Sequence, residues 1–222
     1  MRRCVGRPKV DRVDGQRGVR TIQAGGERLT EGLRHNEVLW ECLRRLPALE
    51  LPGWYLGAGC IGQTIWNIAH GKAATADIAD YDLAYFDADL APEREVEVAA
   101  RVGKLLEDLP VRPDVKNQAR VHLWHEGRFG YPIRAYASSE DAIATWPTTA
   151  TAVGVRSVDG ILKVYAPFDT ADLFALVVRP NRVKITPDIY AAKVARWVER
   201  WPSLKILPWE QGVGVSGSRR AV

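Results

Sequence analysis

From Ile78 to Phe86 the chain reads Ile-Ala-Asp-Tyr-Asp-Leu-Ala-Tyr-Phe, an apolar and aromatic run interrupted by two carboxylates placed two residues apart. Such content is that of a strand covered on both faces. Side chains two apart on a strand project from one face, so Asp80 and Asp82 stand side by side while Tyr81 and Leu83 turn to the other. Like charges on a largely apolar strand repel and resist loss of water, and without a cation one of them tends to keep its proton. Two outcomes are open. Either the strand end is exposed and the acids are merely solvated, which is common for charged residues there, or a divalent cation removes the conflict. Mg2+, or Mn2+ in its place, suits the second outcome, because a hard ion prefers carboxylate and phosphate oxygens and commonly shares one or two protein carboxylates with a substrate's phosphates.

The surrounding pattern predicts an α+β fold: a small mixed sheet flanked by helices, with a hairpin and further helices toward the C-terminus. Asn36 is a good helix cap, followed at helical spacing by Leu39, Leu43 and Leu46 and stopped by Pro47. Trp54 to Leu56 reads as a buried strand that runs through Gly57, Ala58 and Gly59 into a helix carrying Ile61, Ile65 and Ile68 and closed by Gly71. Pro92 opens an amphipathic helix with Val98, Val102, Leu105, Leu106 and Leu109 on one face, and a strand follows at 111–116. Asn117 caps a helix that ends at Gly130, although the Val121/Leu123 alternation also suits a strand. Ser138 with Asp141 resembles a capping box. Residues 150–156 and 161–165 flank Asp159-Gly160 as a hairpin. Asp169 should begin a helix that stops before Pro180, and Thr186-Pro187 another whose Tyr190, Val194, Trp197, Val198 and Trp201 form a stripe.

At 222 residues and 46% hydrophobic content the chain can bury a proper core. Its apolar stretches fall short of the roughly 20 residues a membrane-spanning helix needs, and the N-terminus lacks the apolar centre of an export signal. Cys4, Cys42 and Cys60 are odd in number and unpaired by spacing, which fits free thiols in a reducing, cytoplasmic setting. The net charge of +4 is concentrated: residues 1–35 carry nine basic and four acidic side chains, leaving the remainder at about −1. The expected organisation is a disordered basic extension over 1–35, one domain over 36–209 and a flexible tail over 210–222.

Small residues between a strand and a helix let phosphate oxygens approach backbone N–H groups at the helix start, although a plain tight turn explains Gly57 and Gly59 equally well. The order of parts says more. The runs Trp54-Tyr-Leu-Gly-Ala-Gly-Cys60, Asp80-Tyr-Asp82, Asp114-Val-Lys-Asn-Gln-Ala-Arg-Val-His-Leu-Trp124, Trp146-Pro-Thr-Thr-Ala-Thr-Ala-Val-Gly-Val-Arg156 and Val164-Tyr-Ala-Pro-Phe168 resemble a bacterial branch of the polymerase-beta-like nucleotidyltransferase superfamily. The resemblance spans about Asn36 to Trp209. It implies that Asp80 and Asp82 bind metal, that Asp114 on the neighbouring strand completes the catalytic site, and that Gly57, Ala58, Gly59 and Cys60 meet the phosphates of a nucleoside triphosphate such as ATP. The superfamily usually has Gly-Ser or Gly-Gly at this turn. Ala58 and Cys60 offer no hydroxyl, so phosphate contact rests on backbone N–H groups.

Lys116, Asn117 and Arg120 follow Asp114 closely and could meet phosphates or an acceptor by charge-assisted hydrogen bonds, or serve only as cap and solvated surface. Thr148 and Thr149 could contact a ligand, though turn hydrogen bonds are the commoner use of such hydroxyls. A zinc site from His122, His125, His70 and Cys60 is not supported, since no cysteine pair has metal spacing. The leading expectation is transfer of a nucleoside monophosphate from a triphosphate to an unidentified acceptor, with Mg-dependent release of pyrophosphate. The alternatives are an idle nucleotide-binding or interaction module of the same fold, and nucleic-acid binding through the basic N-terminal segment, which is not favoured.

Overall fold

The computed structural model describes residues 15–78 and 80–214. Its first helix, α1 (Gly15–Arg34), precedes Asn36. Leu29 and Leu33 lie one turn apart on α1 and are fully buried. The expectation that everything before Asn36 lies outside the fold is therefore corrected for this part of the helix, while residues 1–14 fall outside the described residues. Asn36 caps α2 (Glu37–Arg45), its side-chain oxygen accepting the Leu39 N–H at 2.9 Å. The same side chain donates to Thr64 Oγ1 at 2.8 Å, which satisfies a fully buried amide.

β1 (Tyr55–Gly57) turns at Ala58 into α3 (Gly59–Ala69). β2 (Tyr81–Tyr85), α4 (Pro92–Leu105) and β3 (Pro113–Asn117) form a strand–helix–strand crossover, with Val98, Val102 and Leu106 buried beneath the helix. Asn117 accepts the Ala119 N–H at 3.1 Å, and after one 3-10 turn α5 (Val121–Phe129) runs to Gly130, left-handed at φ 82°. The helical alternative for this segment is the observed one. Ser138 caps α6 (Ser139–Ile143) by accepting the Asp141 N–H. β4 (Gly154–Val158) and β5 (Ile161–Tyr165) form the expected hairpin, with Asp159 at φ 51° and Gly160 at φ 74° as a two-residue primed turn requires. Residues ahead of Gly154 fold into a turn in which the Thr148 carbonyl accepts the N–H groups of Thr151 and Ala152.

α7 (Ala171–Phe174) is a single turn, shorter than the periodicity predicts. Leu176 goes left-handed at φ 57°, and the β-branched pair of β6 (Val177–Val178) leaves the helix for a strand partner. α8 (Pro187–Arg200), capped by Thr186, leads to that partner, β7 (Lys205–Ile206). Of the stripe expected on α8, Tyr190, Val194 and Trp197 are buried and Val198 is exposed. Toward the C-terminus the Arg182 N–H donates to Val213 O at 2.7 Å, so pairing continues beyond residue 209; residues 215–222 lie outside the described residues.

The main sheet has the order β3-β2-β1-β4-β5, parallel between β2 and β3 and antiparallel elsewhere. α8 is fastened to α3 by aromatic packing: Trp66 meets Trp197 edge-on at 5.0 Å and Trp201 at 5.5 Å between ring centroids. The buried Trp201 indole N–H donates to Asn67 Oδ1 at 2.8 Å. Among the described residues no helix is long and apolar enough to cross a membrane.

Candidate active site

The ladders bring the acids together. β2 and β3 pair Asp82 with Asp114, and β1 and β2 pair Gly57 with Asp82. Residues directly opposite on adjacent strands project to one face, so Asp82 and Asp114 share it. Asp80 stands just ahead of β2 and, two residues from Asp82, joins them. All three line one open cleft of about 360 Å³.

Asp82 bears most of the electrostatic cost. Burial is the main cause that pushes its carboxyl from 3.8 up to about 6; Lys193 and the Gly59 N–H oppose the shift, while Asp114 and Asp80 add to it. The other two acids have partners, with Asp114 Oδ1 2.9 Å from Lys116 Nζ and Asp80 Oδ1 3.5 Å from Arg112 Nε. Both pairs are open to solvent and so bind their acids weakly. Among the described residues, no three His, Cys, Asp or Glu side chains converge closely enough to enclose a metal ion.

The glycine turn divides into two parts. Ala58 and Gly59 line the cleft, whereas Gly57 and Cys60 do not. A Cβ at Gly57 would stand 2.6 Å from Val153 O and 2.7 Å from the Trp146 ring, so close packing against these groups accounts for this glycine. A Cβ at Gly59 would stand 2.8 Å from Gln63 Nε2 and 3.7 Å from Asp82 Oδ2. Ala58 holds φ 54° and ψ −118°, backbone space that suits glycine and strains an L-residue. The Cys60 thiol is fully buried, donates to Gly57 O at 3.1 Å, and is raised well above its ordinary range by burial. It faces the core.

Facing the aspartates is a basic wall that the sequence reading did not single out. Lys184, Lys193, Arg196 and Arg200 line the cleft from the segment ahead of α8 and from α8 itself. Burial lowers both lysines, Lys184 to about 8 with Lys193 as a further cause, and Lys193 by burial partly offset by Asp82. Among the described residues neither lysine forms an ion pair with a carboxylate. Lys184 Nζ lies 5.7 Å from the Tyr136 ring centre and Lys193 Nζ 5.1 Å from that of Trp197. The spacing of Lys193, Arg196 and Arg200, three and then four residues, marks one helix face and could have been read beside the tryptophan stripe; Lys184 carries no periodic signal.

The remaining sequence candidates separate by burial. Lys116 lines the cleft. Asn117 is buried and used up in local structure, accepting from the Asp87 N–H and donating to Asp87 O and Asp89 O. Arg120 is paired with Glu95 at 3.1 Å. Thr148 exchanges a hydrogen bond with Thr151 at 2.8 Å, and Thr149 donates to Asp172 at 2.6 Å. Neither threonine is in the cleft lining, although Thr151 is. Trp124 and Trp146 supply apolar surface on its remaining sides, and Gln63 reaches it with a buried Oε1 that has no hydrogen-bond partner among the described residues. His125 packs between Phe129 and Tyr131.

Comparison with known proteins places this geometry in context. A family profile described as nucleotidyltransferase matches residues 44–206. No curated protein matches. A solved NMR structure described as revealing a CCA-adding enzyme head domain superposes with a TM-score of 0.66 at 25% identity, covering 82% of this chain and 95% of that one.

Proposed function

The chain belongs to the nucleotidyltransferase family, and from that premise we propose that it moves a nucleoside monophosphate from a nucleoside triphosphate to an acceptor at the cleft of Asp80, Asp82 and Asp114. One observation carries the reading: a partly buried carboxylate shifted toward neutrality and two partly buried lysines, without a carboxylate ion pair among the described residues, line a single cleft. The attraction between Asp82 and Lys193 offsets only part of what burial costs each of them. A metal triphosphate supplies both at once, cation to the aspartates and phosphate oxygens to the lysines.

The residues fit a divalent ion shared with substrate better than one enclosed by protein. Asp82 would hold it with help from Asp80 and Asp114, and Mg2+ or Mn2+ there would neutralise triphosphate charge and assist the leaving pyrophosphate. Lys184 and Lys193 hold phosphate oxygens by charge-assisted hydrogen bonds. Gly59, without a side chain, lets the phosphates come close to the helix start. The acceptor's oxygen bonds to the α-phosphorus, the bond from that phosphorus to the bridging oxygen breaks, and pyrophosphate leaves. Asp114, beside Lys116, would take the acceptor's proton. The buried free thiols of Cys42 and Cys60 support a reducing, cytoplasmic setting.

The test is pyrophosphate release from each nucleoside triphosphate with Mg2+ in the presence of cell extract, with mass spectrometry to find a product heavier by one nucleotide. Wild-type release that disappears in Asp82→Asn supports the reading. Release by Asp82→Asn at the wild-type rate would overturn it, and metal-dependent nucleotide binding with no release in any extract favours the idle module, a reading the hydroxyl-free turn at Ala58 and Cys60 supports.

A further inference from the structure

The basic wall extends past what a triphosphate needs. Lys193, Arg196 and Arg200 follow one another on one face of α8, and seven residues of helix carry that row roughly 10 Å. Three phosphates joined through single oxygen atoms are shorter than the row, and Lys184 with Lys193 already serves its inner end. Exposure rises along it: Lys193 is partly buried, whereas Arg196 and Arg200 are exposed. Two further cations lie near lining residues: Lys72 Nζ donates to Arg200 O at 2.8 Å, and the largely exposed Arg112 approaches Asp80. The cleft lining holds five basic side chains against three acidic ones. Arg200 Nη1 donates to the Asp77 carbonyl at 3.1 Å, and neither Asp77 nor the neighbouring Glu199 is in the cleft lining. The partly exposed Trp124, one side of its ring stacked beside His125 at 6.3 Å between centroids, also lines the cleft.

Resting on the transfer reading above, we propose that the acceptor is a single-stranded nucleic-acid end, its phosphates on Arg196 and Arg200 and a base against Trp124. The pairing of a cation row with an aromatic platform is what a strand of alternating phosphates and flat bases requires. A small neutral acceptor would use neither. The site's residues are also other than those of the basic run over 1–35, which the charge count alone would have pointed to.

Fluorescence anisotropy with a labelled single-stranded RNA of roughly ten nucleotides tests this on the full chain, alongside binding of a labelled non-hydrolysable triphosphate. Expected are RNA binding that weakens as salt rises, and a loss of about tenfold or more in Arg196→Glu/Arg200→Glu, with triphosphate affinity kept within about twofold. Arg196→Gln/Arg200→Gln should lose less, and thermal melting of both variants guards against misfolding. RNA binding that is absent in the wild type, or unchanged by charge reversal, overturns the proposal. Equal loss of triphosphate affinity overturns it as well, since the whole row would then belong to the triphosphate. Asp82→Asn should keep RNA affinity, so a wild type that releases no pyrophosphate yet binds RNA through these arginines sinks the transfer reading alone.

Discussion

The two walls of the cleft reach the same electrostatic condition by different routes. On the sheet, Asp82 is raised to about 6 chiefly by burial, and on the helix side Lys184 is lowered to about 8 by the same cause. The acids come from neighbouring strands in a parallel ladder, Asp82 opposite Asp114, and Asp80 is two residues away in sequence. The lysines sit 102 and 111 residues after Asp82, and Lys193 is carried to it on α8, which Trp66, Trp197 and Trp201 fasten to α3. Backbone pairing sets the acidic wall, while side-chain packing sets the basic one. The first should therefore be rigid and intolerant of change, the second tunable.

The largest expected effect breaks the acidic wall. Asp82→Ala should lower transfer by about a thousandfold or more while leaving the fold intact, measured as pyrophosphate release alongside a thermal melt. A variant that retained wild-type turnover would place the chemistry elsewhere.

Next comes pH in the metal-free protein. The folded Asp82 binds its proton more tightly than the unfolded one, so between the two values, 3.8 and about 6, the folded state holds more protons. Stability is then fully present at low pH and declines as pH rises toward 6, by up to about 3 kcal/mol. Chemical denaturation at pH 4.5 and 7 in wild type and Asp82→Asn measures it: the asparagine variant should lack this component, and equal slopes would remove the claim that burial burdens Asp82.

The basic wall yields smaller changes. Lys193→Met should weaken triphosphate binding by about tenfold to a hundredfold, through loss of charge-assisted hydrogen bonds worth about 1.5–3 kcal/mol. Because Lys184 is lowered to about 8, affinity in the wild type should also fall as pH rises past that value, and titration calorimetry should detect proton uptake on binding there. The pH dependence should flatten in Lys184→Met. Smallest is the turn between strand and helix, where Ala58→Gly should raise stability by about 1 kcal/mol by relieving the left-handed backbone. A destabilised Ala58→Gly would mean that the alanine methyl contributes more than its backbone costs.

Much of this molecule is legible in its residues because the governing physics is local. Asn36, Asn117, Ser138 and Thr186 each accept an N–H at the start of a helical segment as their positions predict, and Asp159-Gly160 takes the turn its dipeptide demands. The spacing of Asp80 and Asp82 on an apolar run already implied a charge conflict, since strand periodicity alone puts them on one face. Local rules stop where another part of the chain competes. Val177 and Val178 leave their helix for Lys205 and Ile206, Leu29 and Leu33 enter the core from a segment whose net charge argued against it, and Cys60 turns its thiol to the carbonyl of Gly57 instead of to the cleft. Sequence by itself determined the family's elements, their order and the acidic pair. Only tertiary packing decided which of Gly57, Ala58, Gly59 and Cys60 face the cleft and which cations face the acids, because burial and long-range contact, not spacing, determine where a charge must find its partner.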